Sequence, residues 1–529
     1  MIPLPAALLR TSLNRIELLR LPKQASLSDI TITVHRNHSF ELTASVLNVF
    51  LAQSGLHATF LYSTYDDSLN FSEDLPKADL HLFWLDQNHY KSPSLFREWL
   101  DTRITILKNQ GVKNILVAYL GNSAISTKVV CVNIQEEIAQ RETILWDERL
   151  SAFSGTRLSN EACLEAARLL GMRYIPPFFY PSLKAIALDC DNTLYDGVLG
   201  EDGISHVQPR LTLQKELLDL YEKGFLLTLI SKNSYDDVYA LFHERKDFLL
   251  KWKHISAVEI NWDSKPDNLE KLAHKLNIGI DSFVFLDDNP GELLQMAERW
   301  PEVRLINAQD ETEALQGLRY CPLLIKNSVQ VEDHLRTDDV KANTRRLELQ
   351  KTFSVEEYRK ELQITLTFSV DPKERLDRIT DLLNKTNQFI FTYLRPNKED
   401  VSHFLDQEGY CCVTTELSDK LTNSGLIALL LAQKESTLLR VKECVISCRA
   451  LGRNLETSMI FAMLKIAGER LGCTNISFPW TKGPKNHPAL LWIQQQGQTK
   501  SAELGELSFS RETLRPDLTN LTILGTMPN

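Results

Sequence analysis

Short apolar runs alternate with amphipathic stretches along the first 180 residues of the chain. The apolar runs predict strands, and the helical spacing of apolar positions between them predicts helices such as Phe40–Leu51 and Ser94–Gln110. The predicted strands are Ile30–Val34, His57–Tyr62, Asp79–Leu85 and Asn114–Leu120. Strands that alternate with helices in this way are typical of an α/β domain with a mostly parallel sheet.

The same alternation begins again after residues 172–181, which hold three prolines and four aromatic residues and are predicted to form a linker. In residues 181–325 the pattern predicts helices at Leu211–Glu222 and Ser234–His243. The predicted strands of this region are Lys184–Leu188, Phe225–Ile230, Ile255–Ile260 and Ser282–Leu286. The region is therefore predicted to be a second doubly wound α/β unit with a parallel sheet.

Residues 326–529 have a different order of predicted elements, which begins with a charged helical connector through Arg345, Arg346 and Glu357. Strands are then predicted at 362–368, 409–415, 425–433 and 440–446, and helices at 375–384 and 454–471. Strands that follow one another in this way are typical of an α+β domain. We therefore predict three domains, at residues 1–180, 181–325 and 326–529.

The chain has 529 residues and is 43% hydrophobic and 24% charged, which is ordinary for a globular protein. Its formal charge of −10 comes from residues 181–325, where 15 Lys and Arg stand against 25 Asp and Glu.

An acidic balance without a basic tail argues against nucleic-acid binding, and no apolar run is long enough to predict a membrane span. The N-terminus lacks a signal-peptide pattern and no C-x-x-C pair occurs, so we expect a reduced, cytoplasmic protein.

The strongest chemical pattern follows the first predicted strand of the central region. Asp189 and Asp191 stand two residues apart in the run ALDCDNT, residues 187–193. Ligands bind at the carboxyl ends of strands in open parallel sheets, and paired acids at such a place can hold a divalent ion. One acid could then attack phosphorus while the other handles the proton of the leaving group. By itself, however, this pattern is more often a structural turn.

Three further elements strengthen the prediction of phosphoryl chemistry. Ser231 follows a predicted strand and could donate to a phosphoryl oxygen, and Lys265 at the start of a helix could offset negative charge. Asp287 and Asp288 close another predicted strand and could complete a metal site. The predicted ligands of the divalent ion are Asp189, Asp191, Asp287 and Asp288. The predicted phosphate-binding residues are Thr193, Ser231, Lys232, Asn233 and Lys265.

The spacing of these elements also bears on the substrate. About 40 residues separate Asp191 from Ser231 and about 30 separate Ser231 from Lys265, which leaves no room for a large cap domain. The Gly-rich stretch 195–203 is better suited to a hairpin flap. A site without a large lid can admit an extended or protein-borne substrate, and closure by a neighbouring domain is equally compatible with the spacing.

Together these elements resemble the haloacid dehalogenase (HAD) superfamily of phosphotransferases. The strings LDCDNTLYDGVLGEDG and NWDSKPDNLEKLAHKLNIGIDSFVFLDDNPGE resemble its FkbH-like branch. Further matches lie at 386–389, 447–453 and 485–486, so the resemblance covers roughly residues 180–490. It implies that Asp189 is the nucleophile, that Asp191 is the acid/base and that the bound ion is Mg²⁺. It also implies that residues 1–180 form an SGNH-hydrolase-like or flavodoxin-like α/β domain.

The resemblance also implies a reaction. Proteins of this branch are associated with loading a glyceryl unit from 1,3-bisphosphoglycerate onto an acyl carrier protein in polyketide biosynthesis, with passage through a protein thiol. Cys190 is the nearer candidate for a catalytic thiol, but its place between two acids also suits inert packing in the core. Cys448, beside Arg449 and Arg453, is the other candidate.

The third domain resembles the GNAT acyltransferase fold. Arg449, Gly452 and Arg453 fit most of the R-x-x-G-x-G/A turn that could bind the phosphate of a carrier's phosphopantetheine arm. Asn454 departs from that pattern, and a basic turn at the start of a helix is the alternative interpretation.

Two other functions stay open at this point. The chain could be a stand-alone phosphatase that acts on a small phosphoester, or a non-catalytic scaffold that binds a carrier protein. Residues 1–180 have no Gly-Asp-Ser motif, and Ser39 is interpreted as a helix cap, so this domain is predicted to be non-catalytic.

Overall fold

The computed structural model describes residues 4–63 and 77–325 except 23, 25, 126, 128 and 142, isolated positions between 339 and 349, and residues 352–497 and 503–526. The chain divides into two compact units, Met1–Leu269 with Ile280–Ser328 and Glu270–Gly279 with Val329–Asn529. The described residues form two five-stranded sheets, one seven-stranded sheet and a two-stranded hairpin. The predicted mixed α/β fold class is confirmed, and the boundaries at residues 180 and 325 stay predictions.

The first sheet of the first unit is parallel throughout, with the strand order β2-β1-β3-β4-β5. Its strands are β1 Ser28–Arg36, β2 Leu56–Tyr62, β3 Leu80–Asp86, β4 Ile115–Leu120 and β5 Val130–Asn133. Every residue of β3 and β4 is buried, as expected for central strands of a parallel sheet covered on both faces. The helices are α1 Ala6–Leu9, α2 Arg15–Leu19, α3 Glu41–Leu51, α4 Pro93–Asn109, α5 Ile134–Ala139, α6 Glu148–Ser154 and α7 Asn160–Arg168.

The segment predicted to be a linker packs tightly at its start. A π-helical turn spans Leu169–Tyr174, and Met172 and Ile175 are wholly buried in the core of the first sheet. The composition of residues 172–181 predicts a linker, whereas the apolar side chains at the start of this segment are part of the core of the first sheet.

The second sheet is also parallel, with the order β10-β9-β6-β11-β12. Its strands are β6 Ala185–Leu188, β9 Leu226–Ser231, β10 Ile255–Ile260, β11 Phe283–Asp287 and β12 Arg304–Asn307, and β7 Tyr195–Asp196 pairs with β8 Gln208–Pro209 in a separate hairpin. The helices are α8 Leu199–Asp202, α9 Leu211–Glu222, α10 Tyr235–Glu244, α11 Lys265–Leu276, α12 Pro290–Arg299 and α13 Glu311–Tyr320. The chain adds strands first on one side of β6 and then on the other, so the strand order reverses between β6 and β11.

A buried polar seam joins the two sheets of the first unit. The hydroxyl of Tyr320 donates to Glu165 at 2.6 Å, and the Arg168 guanidinium lies 3.9 Å above the Tyr320 ring. Arg304 donates to the carbonyl of Gln53 at 2.6 Å. The ring of Tyr320 belongs to the hydrophobic core of the first sheet although the residue ends α13 beside the second.

The second unit is built on a mostly antiparallel sheet of order β18-β17-β16-β15-β14-β13-β19. Its strands are β13 Thr365–Val370, β14 Tyr410–Ser418, β15 Asn423–Glu435, β16 Leu438–Ile446, β17 Asn475–Thr481, β18 Leu504–Ser510 and β19 Thr522–Gly525. Its helices are α14 Val355–Leu362, α15 Leu376–Lys385, α16 Lys398–Asp406, α17 Glu456–Leu471 and α18 His487–Gln495. The strands and helices predicted between residues 362 and 471 are all present, and the structure adds the helix α16, which the pattern did not predict. Among the described residues, no helix has the length and apolar character needed to cross a membrane.

Candidate active site

Acidic side chains gather where the second sheet reverses its strand order. Asp189 follows β6, and its N–H donates to the carbonyl of Leu286 at 3.0 Å, so the pairing with β11 continues by one residue. Asp287 is the last residue of β11. Open parallel sheets bind ligands in the crevice at this reversal, outside the carboxyl ends of the strands. The fold therefore brings the two sequence-distant acids to the one edge where a ligand is expected.

The ammonium of Lys265 bridges these two carboxylates. Its Nζ lies 2.6 Å from Oδ2 of Asp287 and 3.0 Å from Oδ1 of Asp189. Lys265 is the first residue of α11, so the start of that helix delivers its side chain to the sheet edge. All three residues are buried, with exposed fractions of 4% for Lys265, 6% for Asp189 and 0% for Asp287.

Burial and mutual charge set the protonation of this group. Burial raises the pKa of Asp189, and the Lys265 ammonium opposes that rise. Burial, followed by the charge of Asp189, raises the pKa of Asp287, again opposed by Lys265. Burial alone would lower the pKa of Lys265, but the two carboxylates outweigh it and raise that pKa. The carboxylates therefore need more positive charge than the single ammonium supplies.

A divalent cation fits this requirement. One carboxylate oxygen each from Asp189, Asp287 and Asp288 lie within 4.8 Å of one another. Burial raises the pKa of Asp288, and nearby Lys265 opposes the rise. Three carboxylates and one ammonium carry two uncompensated negative charges, and hard oxygen donors are the ligands that Mg²⁺ prefers. The donor set thus fits the predicted Mg²⁺.

Asp191, the fourth predicted ligand, is outside that group. Its Oδ1 accepts from the hydroxyl of Tyr195 at 2.6 Å and from the N–H of Leu199 at 3.1 Å. Its Oδ2 accepts from the side-chain amide of Asn233 at 3.0 Å. The chain turns between the two acids, and Asn192 has a left-handed φ of 49°. The turn separates the surroundings of Asp191 from those of Asp189, which suits different roles for the two carboxyl groups.

The predicted phosphate-binding residues lie around the same edge. Ser231 ends β9, is buried, and accepts from Asn233 at 3.2 Å. Lys232 pairs instead with Glu292 of α12 at 2.6 Å. The hydroxyl of Thr193 is buried and has no hydrogen-bond partner within the described part of the chain. The fold therefore groups the predicted set, and the phosphate-binding role of each member stays a prediction.

The two candidate thiols differ in their surroundings. Cys190 is fully buried in the core of the second sheet beside Leu188 and Leu229. Burial, followed by the charge of Asp189, raises the pKa of its thiol. A neutral, buried thiol is a poor nucleophile, so these surroundings disfavour the catalytic role that remains a prediction for Cys190. Cys448, in the second unit, is partly exposed.

The turn predicted to bind a carrier's phosphate lies in the second unit. Arg453 is buried there and its guanidinium contacts Asp339 at 2.9 Å and Asp419 at 3.3 Å. The N–H of Gly452 donates to Glu456 at 2.7 Å. These bonds give Arg453 and Gly452 structural partners, which favours the alternative interpretation of a structural turn. Phosphate binding by Arg449, Gly452 and Arg453 stays a prediction.

The carboxyl edge of the first sheet lacks a catalytic serine arrangement among the described residues. The hydroxyl of Ser39 donates to Glu41 at 2.6 Å, and Nδ1 of His38 lies 3.0 Å from the hydroxyl of Thr156. Burial lowers the pKa of His38 to about 3, so the imidazole is neutral. It stacks on Trp84 with ring centroids 5.1 Å apart.

Two contacts at the site are not predicted by the sequence pattern. The pattern predicts only that Tyr195 and Leu199 belong to a flap, whereas in the structure the hydroxyl of Tyr195 and the N–H of Leu199 both donate to Asp191. The available signal was an aromatic hydroxyl four residues after the acid, across a tight turn.

No protein-family model and no curated protein sequence matches the chain. One similar solved structure is the N-terminal part of the protein BF1531 from Bacteroides fragilis, described as containing a phosphatase domain complexed with Mg, with 20% identity over 59% of this chain and 99% of that one and a TM-score of 0.47. A mutant of the spermidine/spermine N-acetyltransferase SpeG from Vibrio cholerae matches 29% of this chain and 96% of its own at 14% identity, with a TM-score of 0.22.

The ribosomal-protein-S18-alanine N-acetyltransferase from Escherichia coli matches 27% of this chain and 91% of its own at 11% identity, with a TM-score of 0.21. These similarity scores are low. The function is therefore inferred from the chain's own residues.

Proposed function

We propose that the first unit is a Mg²⁺-dependent phosphotransferase or phosphatase of the HAD type, with Asp189 as its nucleophile. The observation that carries the proposal is the Lys265 ammonium held between Asp189 and Asp287, with Asp288 alongside, at the reversal of a parallel sheet. Such a cluster is costly to bury unless it serves a ligand, because its negative charges exceed its positive charge. A cation and a phosphoryl group together complete the charge balance.

The residues divide the chemistry between them. An oxygen of Asp189 attacks phosphorus, the bond from phosphorus to the leaving oxygen breaks, and Asp191 gives that oxygen a proton. Water then attacks the aspartyl phosphate, returns a proton to Asp191 and frees Asp189 with release of inorganic phosphate. Lys265 and Ser231 hold phosphoryl oxygens during both steps. Mg²⁺, when bound, neutralises charge on the phosphoryl group.

A finer proposal follows from the FkbH-like resemblance. In it, the substrate is a three-carbon acyl phosphate such as 1,3-bisphosphoglycerate. A thiolate attacks the activated carbonyl, the bond from carbon to the phosphate oxygen breaks, and inorganic phosphate leaves. The remaining phosphoester is removed through Asp189, and the glyceryl group passes from the thiol to the phosphopantetheine arm of an acyl carrier protein. The motifs around Asp189 and Lys265 support this proposal.

Mass spectrometry of the intact protein tests the finer proposal. After incubation with 1,3-bisphosphoglycerate and Mg²⁺, a glyceryl thioester adds about 88 Da to the chain. An adduct that is lost in Cys190→Ala and kept in Cys448→Ala identifies Cys190 as the thiol, and the reverse pattern identifies Cys448. Phosphate release without any adduct contradicts thiol transfer.

A stand-alone phosphatase is the second candidate function. The observation that favours it is the burial of Cys190, whose raised thiol pKa leaves Asp189 as the better nucleophile at this edge. This candidate keeps the same Asp189 and Asp191 roles and needs no carrier protein. It predicts turnover of a small phosphoester in the absence of any acceptor thiol.

Phosphate release from a small phosphoester by Asp189→Asn tests the nucleophile assignment that both versions of the proposal share. The amide cannot form an aspartyl phosphate, so we expect turnover to fall to background. Asp219→Asn, an exposed position on α9, is the matched control and should leave turnover unchanged. Full phosphate release by Asp189→Asn would refute the nucleophile assignment. No release by the wild type, with carrier binding intact, would support the scaffold alternative.

A further inference from the structure

The flap at residues 195–203 contacts Asp191, the second acid of the run at residues 187–193. Tyr195 is fully buried, and its hydroxyl donates to Oδ1 of Asp191 at 2.6 Å. Its ring packs against Phe248, with centroids 5.9 Å apart. The hydroxyl is therefore the polar tip of a side chain that is otherwise embedded in the hydrophobic core of the second sheet.

The backbone around Tyr195 is held on both sides. Tyr195 pairs with Pro209, and Asp196 pairs with Gln208, in the hairpin formed by β7 and β8. Arg210 fixes this hairpin to the rest of the unit, because its Nε donates to Asp196 at 2.8 Å and its Nη1 to the carbonyl of Ala308 at 2.6 Å. The position of the hydroxyl is thus set by the packed body of the unit rather than by the flap alone.

Two of the three described donors to Asp191 come from this stretch. Tyr195 and the N–H of Leu199 share Oδ1, and Asn233 donates to Oδ2. Donors on both oxygens fix the rotation of the carboxyl plane, which is otherwise a broad, soft torsion. We propose that Tyr195 is a positioning residue, which aims the carboxyl of Asp191 at the leaving oxygen of the substrate. This inference rests on the proposed function.

The consequence for catalysis depends on the leaving group. An alkoxide needs a proton as the bond from phosphorus to oxygen breaks, and Asp191 supplies it. A nitrophenolate is stable without a proton, so the orientation of Asp191 has little effect on the rate at which it leaves. Removal of the Tyr195 hydroxyl should therefore harm hydrolysis of alkyl phosphates and spare hydrolysis of p-nitrophenyl phosphate.

The test compares kcat/KM of the full-length wild type and Tyr195→Phe, each with Mg²⁺, on glycerol 3-phosphate and on p-nitrophenyl phosphate. This ratio reports the steps up to departure of the leaving group, before water enters. We expect a loss of about 10-fold or more on the alkyl phosphate and less than about 3-fold on the aryl phosphate. Tyr239→Phe, an exposed tyrosine of α10, should change neither value.

A double mutant separates positioning from packing. In the Asp191→Asn background, Tyr195→Phe should cause no additional loss on either substrate, because its effect passes through the acid that has been removed. The thermal unfolding midpoint of each variant confirms that it folds. Equal losses on both substrates, no loss on either, or an additive loss in the double mutant would overturn the inference. If the wild type hydrolyses neither substrate and also releases no phosphate from 1,3-bisphosphoglycerate, the proposed function itself fails.

Discussion

Replacement of Lys265 by Met is the most informative perturbation of the site. Methionine keeps an unbranched, apolar side chain of similar length but removes the ammonium that lies 2.6 Å from Asp287 and 3.0 Å from Asp189. The two carboxylates then face each other in a buried place without an intervening cation. We expect the Mg²⁺-free protein to be strongly destabilised and Mg²⁺ to restore much of the loss.

The magnitude follows from the two distances. At an effective dielectric constant of about 20, the contacts at 2.6 Å and 3.0 Å are worth roughly 6.4 and 5.5 kcal/mol of gross attraction. The desolvation of three buried charges offsets most of it. Removal of one partner from a buried ion pair lowers the free energy of unfolding by about 3–5 kcal/mol. A cation that binds only the folded state raises the free energy of unfolding by about 2.7 kcal/mol when its concentration is a hundred times its dissociation constant.

Hydrogen exchange of the full-length protein as a function of urea measures this effect locally. Peptides that cover β6 and β11 report the free energy of opening of the second sheet, separately from the second unit. The control is Lys215→Met, an exposed lysine on α9, which should change the opening free energy by less than about 0.5 kcal/mol.

Two results would refute this reasoning. One is a loss for Lys265→Met no larger than that for Lys215→Met, which would mean that the buried charges do not depend on the ammonium. The other is a large loss that Mg²⁺ does not reduce, which would mean that the three carboxylates do not form a cation site.

Three further predictions concern other charged groups. Asp288→Asn should weaken Mg²⁺ binding at least about 10-fold in titration calorimetry, whereas Asp219→Asn should leave it unchanged. Burial lowers the pKa of His38 to about 3 in the folded protein. Below about pH 6.5 the imidazole therefore takes up a proton in the unfolded chain but stays neutral in the folded chain. The stability of the first unit should therefore fall by up to about 1.4 kcal/mol per pH unit between about pH 6.5 and pH 3, and urea titrations of His38→Asn should show a shallower fall. Arg453→Met should destabilise the second unit by about 3 kcal/mol, because Asp339 and Asp419 lose one of the two buried guanidinium groups that pair with them and keep only that of Arg346. Arg440→Met at a half-exposed pair should cost less than about 1 kcal/mol in the same urea titration.

The sequence pattern predicts four of the five strands of the second sheet to within about two residues, because short buried strands between amphipathic helices have a strong local pattern, but it does not predict the edge strand β12. Asp189, Ser231 and Asp287 could be placed together for the same reason, since each ends or follows a predicted strand. Lys265 could be assigned to a helix start. Its position between the two carboxylates could not be derived, because that depends on how α11 packs on the sheet.

The hydrophobic pattern cannot predict contacts between segments that are far apart in the sequence or separated by a sharp turn. The bond from Tyr195 to Asp191 depends on the left-handed turn at Asn192, which the sequence does not reveal. Arg453 fitted a phosphate-binding turn by local spacing, but Asp339, its buried partner, stands 114 positions earlier. Ion pairs over such a separation have no periodicity, so only the fold exposes them.

The seam around Tyr320 affects how the protein can be dissected. Because the Tyr320 ring belongs to the core of the first sheet and its hydroxyl donates to Glu165, a fragment that starts at residue 181 would carry a bare aromatic face and lose that acceptor. Its Arg304 would also lose the carbonyl of Gln53. The second sheet is therefore poorly suited to excision or to grafting into a chimera, and a minimal folded fragment should retain residues 4–325.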